Sequence, residues 1–176
     1  RKGQIGLRGK NPSGSLFVKP RKQLEVSERY AKEFEEALEK EESVYALERL
    51  AQLLIQSLLD LGAMVSHCLG KRPNTYRGLA KLLAEKAGLR DEEGAFLEYL
   101  VSCRKLFVYS YAKPSIEEER RVFKRVSEGI FPLLRSLREG LKALLKEEVS
   151  EWSVKKYSEV LDVEECFRLV EKELTY

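Results

Sequence analysis

Arg104 is the residue whose type and surroundings suggest chemistry most directly in this sequence. It lies in an apolar run from residue 95 to residue 112, in which Glu98 and Lys105 are the only other charged residues. A guanidinium among apolar side chains needs a partner, because an unpaired buried charge is strongly destabilising. Two alternatives are open: Arg104 pairs with an acidic residue or extends its head group to solvent, or it binds a phosphate group.

The run around Arg104 has the periodicity of a helix. At 3.6 residues per turn, Arg104 falls in one stripe with Leu97, Val101, Val108 and Tyr111. A second stripe is also apolar and consists of Phe96, Leu100, Cys103 and Phe107. Because this helix is apolar on nearly every side, we expect it to be an interior element of the fold.

The other elements that the sequence predicts are helices as well. Ser43 and Ser115 can cap the N-termini of two helices, and Gly88 can end a third. The predicted helices run from Ser27 to 42, from Ser43 to 69, from 75 to 87, from Asp91 through the run around Arg104, from Ser115 to 144 with a kink at Pro132, and from 163 to 174. The sequence therefore predicts an all-α fold, an antiparallel bundle of roughly four to six helices.

Positive charge is concentrated at the start of the chain. Residues 1–22 contain seven basic residues, no acidic residue and several glycines and prolines, whereas the whole chain has a net charge of +3. We therefore divide the chain into an irregular basic arm at 1–22, a helical body at 23–147 and a helical extension at 148–176. Either the arm binds an anionic partner, for which nucleic acid is the usual candidate, or it is a solvated tail.

The rarer residues exclude several kinds of site. Cys68, Cys103 and Cys166 are far apart and form no CxxC pair, and the one histidine, His67, is expected to be structural. This usage indicates a reducing cytoplasm, without a disulfide framework or a zinc site. The sequence has no Gly-rich phosphate loop and no apolar stretch of membrane-spanning length. We therefore expect no cofactor, no metal and no membrane segment.

Short motifs along the helical body are similar to those of a known family. Tyr45-Ala46-Leu47-Glu48-Arg49-Leu50 opens the long second helix, Thr75-Tyr76-Arg77 opens the third, and Ala87-Gly88-Leu89 closes it. In this helical order, from residue 26 to residue 146, the chain resembles the HEPN superfamily, and specifically the HepT toxins of prokaryotic two-gene modules. The resemblance implies a bundle that forms a homodimer and cleaves RNA without a metal.

The signature motif of that family is an arginine, four residues, a histidine, one residue and a tyrosine, usually with an asparagine directly after the arginine. Arg104 and Tyr111 match it, whereas Lys105 stands in place of the asparagine and Tyr109 in place of the histidine. The resemblance implies that two such motifs face each other across the dimer, with Arg104 and Tyr109 at catalytic positions. It also implies a partner, a nucleotidyltransferase antitoxin that can attach AMP to Tyr111.

Tyr109 weakens the catalysis that this resemblance implies. RNA cleavage needs a base for the 2′-hydroxyl and an acid for the leaving oxygen, and an imidazole with a pKa of about 6.5 suits both tasks. A phenol with a pKa of about 10 is ionised to only about one part in a thousand at neutral pH. We expect Lys105, and Arg21 and Lys22 of the arm, to contact RNA.

Three functions remain open at this point. The first is the toxin of a toxin–antitoxin pair, an endoribonuclease by ancestry whose activity is weakened or lost. The second is a non-catalytic HEPN protein that binds RNA or nucleotide, or that serves as the partner of a nucleotidyltransferase. The third is a purely structural dimeric bundle.

Overall fold

The computed structural model describes residues 18–108 and 115–157, with side chains in 19–107 and 115–144. These residues form five helices: α1 (Val18–Glu39), α2 (Val44–Cys68), α3 (Tyr76–Lys86), α4 (Asp91–Val108) and α5 (Ile116–Tyr157). No strand is present in this part of the chain. The predicted all-α bundle is confirmed, and the number of helices lies in the predicted range.

Most helix ends follow from their local sequence, as predicted. The Ser43 hydroxyl accepts a hydrogen bond from the N–H of Ala46 at 3.2 Å, and the Ser115 hydroxyl accepts one from the N–H of Glu118 at 3.3 Å. Each hydroxyl thus serves as acceptor for a backbone N–H group that has no partner within the first turn of its helix. After α3, Gly88 has a φ of +66°, the left-handed conformation that glycine adopts without steric cost.

The first helix begins earlier than the sequence predicted. α1 begins at Val18 rather than at Ser27, so Arg21 and Lys22 belong to a helix and not to an irregular segment. Pro20 is compatible with this start, because the N–H groups of a first helical turn have no partner within the helix. The prediction failed because a proline was taken as a helix breaker at a position where it is tolerated.

The last described helix continues further than predicted. α5 is helical through Pro132 and ends at Tyr157, past the boundary predicted at residue 147. The helix predicted from 163 to 174 lies outside the described residues.

Antiparallel packing of these helices is fixed by hydrogen bonds between distant residues. Ser27 of α1 and Ser57 of α2 bond through their buried hydroxyls at 2.7 Å. Since the Ser57 hydroxyl donates to the carbonyl of Leu54 at 2.7 Å, Ser27 is the donor between the two serines. On the other side of α1, the Ser127 hydroxyl of α5 donates to Glu35 at 2.6 Å. α1 is therefore held between α2 and α5.

Aromatic rings join the centre of the bundle to the end of α4. Phe123 of α5 meets Phe34 of α1 edge to face, with ring centroids 5.9 Å apart. The same ring stacks on Phe107 of α4 at 5.7 Å, and the Phe107 carbonyl accepts a hydrogen bond from the Gln52 side chain of α2 at 2.6 Å. Such ring pairs stabilise a core beyond their buried area. Phe107 thereby anchors α4 to α2 and α5.

The expectation that α4 is interior on nearly every side is wrong. One broad face is buried and carries Leu97, Leu100, Cys103 and Phe107. Ser102 and Lys105 are exposed on the opposite face. α4 packs against α2, α3 and α5, and three neighbours on one side leave the other side to solvent. The prediction was based on how many residues of the run are apolar. Several of them, such as Val101 and Leu106, are only half-buried, at the edges of the surface by which α4 contacts its neighbours.

Candidate functional site

Arg104 lies on the inward side of α4, near the end of the helix. It follows Leu97 by seven residues, which places the two within about 20° of each other around the helix, and Leu97 is 1% exposed. Arg104 is nevertheless half-buried rather than buried. Its guanidinium therefore combines an apolar setting with access to solvent.

The guanidinium is stacked on an aromatic ring. The Cζ atom of Arg104 lies 4.7 Å from the centroid of the Tyr76 ring, at the start of α3. A cation over the face of a tyrosine is attracted by the electron density of the ring. A guanidinium has five N–H donors, which can also bind an anion such as a phosphate.

The turn that carries Tyr76 is held in place on both sides. The Thr75 hydroxyl accepts a hydrogen bond from the N–H of Gly78 at 2.9 Å. A Cβ at Gly78 would lie only 3.1 Å from that hydroxyl. Glycine at this position therefore lets the Thr75 hydroxyl lie close to the backbone of residue 78. Next to Tyr76, Arg77 pairs with Glu98 of α4 at 3.1 Å. Tyr76 is thus fixed against α4 by its neighbours.

The four basic residues predicted to contact an anion lie in two locations. Arg104 and Lys105 are adjacent on α4, and Lys105 is exposed. Arg21 is half-buried and Lys22 is exposed on α1, which packs against α2 and α5. The structure therefore gives two separate groups of basic residues rather than a single cluster.

The two predicted tyrosines of the motif, Tyr109 and Tyr111, lie outside the described residues. His67, the only imidazole in the sequence, is exposed near the C-terminus of α2.

A second contact between an arginine and a tyrosine ring, made by Tyr99 of α4, was not predicted from the sequence. Tyr99 is half-buried beside Cys103, and the Arg125 guanidinium of α5 lies 3.9 Å above its ring. Burial and a hydrogen bond with Cys103 raise the pKa of Tyr99 to about 12. A phenol with such a pKa stays protonated at neutral pH. The Tyr99 ring therefore contributes to packing rather than to acid–base chemistry. The spacing of four residues between Tyr99 and Cys103 was the available signal, because it places both on one side of a helix.

A shallow cleft of about 450 Å³ lies at the other end of α4. Its lining is formed by Ala87, Gly88, Arg90, Glu93, Arg135, Ser136, Glu139 and Gly140. Glu93 accepts hydrogen bonds from the Ser136 hydroxyl and from the backbone N–H of Arg90, the latter at 3.1 Å. These donors, the Ser136 hydroxyl first, lower the pKa of Glu93. Of the four charged residues in this lining, Arg90 and Glu93 form an ion pair at 3.4 Å.

In 18–108 and 115–157, no three His, Cys, Asp or Glu side chains are grouped so that they could hold a metal ion. None of the helices described above is both long and apolar enough to span a membrane.

An antiparallel helical bundle with an arginine at the inner edge of its fourth helix is the arrangement expected of an HEPN-type protein. The sequence profile of the family described as "Ribonuclease HepT-like" matches residues 21–139. The match covers about two thirds of the chain, and the chain belongs to this HepT-like family of the HEPN superfamily. The resemblance identified from the sequence is confirmed. No curated protein and no solved structure matches the chain.

Proposed function

We propose that this chain is the toxin component of a toxin–antitoxin pair, and that it acts on RNA through Arg104. Membership of the HepT-like ribonuclease family supports a toxin-like function directed at RNA. The observation that carries the role of Arg104 is its half-buried guanidinium, whose Cζ atom lies 4.7 Å from the centroid of the Tyr76 ring. Its N–H groups are suited to bind phosphoryl oxygens.

Arg104 can supply one part of RNA cleavage. Negative charge develops on the phosphoryl oxygens as the 2′-hydroxyl attacks, and a fixed forked donor in a partly desolvated place stabilises that charge. The remaining parts are the base and the acid, and Tyr109 stands where the family has the histidine for them. We therefore propose that cleavage is weak or lost in this chain, while binding of the phosphate is retained.

The proposed assembly is a homodimer. In a twofold arrangement, two Arg104 side chains would face one RNA segment, which requires Arg104 to lie at the surface of the single chain. Its partial exposure meets that requirement. The proposed partner of the dimer is a nucleotidyltransferase antitoxin, and the proposed acceptor of AMP is Tyr111.

RNA degradation by four forms of the protein tests this proposal. The wild type, Arg104→Ala, Tyr109→His and the double variant with both changes are compared on the same total RNA, with gel electrophoresis as the measurement. Restoring the imidazole is expected to raise cleavage by about 10²–10⁴-fold, the usual contribution of general acid–base catalysis. Arg104→Ala should remove cleavage from both the wild type and the Tyr109→His form. Cleavage that persists without Arg104 would refute its proposed role.

A second candidate function is a non-catalytic partner of a nucleotidyltransferase, and the tyrosine at position 109 favours it. In that case Tyr109→His cleaves RNA whereas the wild type does not at any concentration.

Incubation of the wild type with ATP and the nucleotidyltransferase should add the mass of AMP, measured on the intact protein. Tyr111→Phe is the matched control and should stay unmodified. Transfer of AMP to Tyr111→Phe would show that another residue is the acceptor.

A further inference from the structure

Tyr76 has no evident role in the core, although its position is closely determined. It is 48% exposed and is the first residue of α3. Its one described ring contact is the Arg104 guanidinium. An exposed aromatic ring beside a cation is the combination that proteins use to bind single-stranded nucleic acids.

The neighbours of Tyr76 explain how the ring is held without being buried. Arg77 binds Glu98 at 3.1 Å, so the residue after Tyr76 fixes the first turn of α3 on α4. The hydrogen bond between Thr75 and Gly78 fixes the same turn from within. The ring itself is thus positioned by backbone and by adjacent side chains, and its outer surface stays accessible.

We infer that Tyr76 is a positioning residue for Arg104 and that its exposed surface stacks a base of single-stranded RNA whose phosphate binds Arg104. This inference rests on the proposed function. The ring holds the guanidinium by one face, which restricts a side chain that is otherwise flexible. A base can stack on the ring only if it is not already stacked within a duplex. The site should therefore prefer unpaired nucleotides.

Fluorescence anisotropy with three labelled RNA probes tests the inference. The probes are a short single strand, the same strand with abasic positions, and a duplex of equal length. Tyr76→Leu should weaken binding of the single strand roughly 5- to 150-fold, the range for loss of one stacked base. Its effect on the abasic strand should be smaller, because that strand has no base to stack. Tyr76→Phe and Tyr76→Trp should restore binding, since both keep an aromatic face.

Tyr30→Leu is the matched control. Tyr30 also carries an arginine over its ring, with the Cζ atom of Arg29 at 5.7 Å, but it lies on α1 rather than beside Arg104. Its substitution should leave RNA binding unchanged. Thermal unfolding of each variant verifies that it is folded, and Tyr76→Leu is expected to fold because Tyr76 is largely exposed.

The outcomes separate this inference from the proposed function. If Arg104→Ala loses RNA binding and Tyr76→Leu does not, the role of Tyr76 is refuted and that of Arg104 stands. If Tyr76→Leu loses the same factor on the abasic strand as on the ordinary strand, base stacking is refuted. If the wild type binds none of the probes, the proposed function itself fails.

Discussion

The two ends of α4 differ in how their charged and polar groups are used. At the N-terminal end, Glu93 is bound by Ser136 of α5, and the Phe96 ring covers Gly129 of the same helix. At the C-terminal end, Arg104 contacts the half-exposed ring of Tyr76. The first end therefore binds its charged group within the bundle, whereas the second, which Phe107 also anchors to the core, leaves a cation accessible to a ligand.

This difference shows how one helix can use a charged group for contacts within the bundle at one end and leave another available for binding at the other. The two ends lie 11 residues apart, from Glu93 to Arg104, which corresponds to about 16 Å along a helix. At that separation, substitutions at one end should add to those at the other without strong coupling. The predictions below test that independence, from the largest expected effect to the smallest.

Gly140→Ala should cause the largest loss of stability. A Cβ at this position would overlap the carbonyl oxygen of Ala87, and backbone at a helix end cannot rotate away as a side chain can. Overpacking of this kind costs about 1–3 kcal/mol, so thermal unfolding should occur roughly 3–10 °C lower. RNA binding by the folded protein should be unchanged. Gly94→Ala is the control: its Cβ would lie 3.5 Å from that of Ala84, an ordinary contact.

Gly129→Ala should have a smaller effect of the same kind. The nearest atom to its Cβ would be 2.5 Å away in the Phe96 ring, and that ring is half-buried and can move. We expect a loss of about 1 kcal/mol in the free energy of unfolding, measured by urea denaturation. In a Phe96→Leu background the added methyl should cost less, because the ring is gone. Equal costs in both backgrounds would show that the ring is not the obstacle.

Ser136→Ala should change the pH dependence of stability. Hydrogen bonding by Ser136 lowers the pKa of Glu93 from its ordinary value of 4.5. A lowered pKa contributes stability above the ordinary value, and this contribution is lost as the pH falls through the folded pKa. The variant should therefore be less stable than the wild type at neutral pH, and the difference should shrink below pH 4.5. A difference that is constant from neutral to acidic pH would contradict this origin.

Glu98→Gln should have the smallest effect. It removes the carboxylate from Arg77, whose side chain is 75% exposed, and exposed ion pairs contribute only about 0.2–1 kcal/mol. The loss in thermal stability should decrease further at high salt, because salt screens the wild-type pair. Glu85→Gln on the exposed side of α3 is the control. A large loss of RNA binding in Glu98→Gln would show that this pair does more than fix the turn.

The elements of the fold could be predicted from the sequence because their signals are local. Ser43, Gly88 and Asp91 mark helix ends by interactions within a few residues, and all three lie where the structure places those ends. The start of α1 was missed because a proline such as Pro20 is tolerated in the first turn of a helix but disrupts a helix interior. The neighbouring residues alone do not show which of these two positions Pro20 occupies.

The candidate site could be predicted only in part. The stripe that contains Leu97 and Arg104 indicated that the arginine faces inward, and the structure places it half-buried there. The contact with Tyr76 could not be predicted, because the two residues are 28 positions apart and meet only through the packing of α3 on α4. Arg104 was expected to pair with an acidic residue, to extend its head group to solvent or to bind a phosphate, and an aromatic partner was not considered.

The adjacency of Tyr76 and Arg77 makes the first turn of α3 sensitive to changes in length. Each residue added or deleted within that turn rotates the following side chains by about 100°. A single deletion would present Arg77 to Arg104 and so bring two like charges together. Length variation should therefore be confined to the connection at 69–75, where Gly70 has a φ of +70° and open space around it. Related chains can differ in length before Thr75 and keep the contact between the ring and the guanidinium.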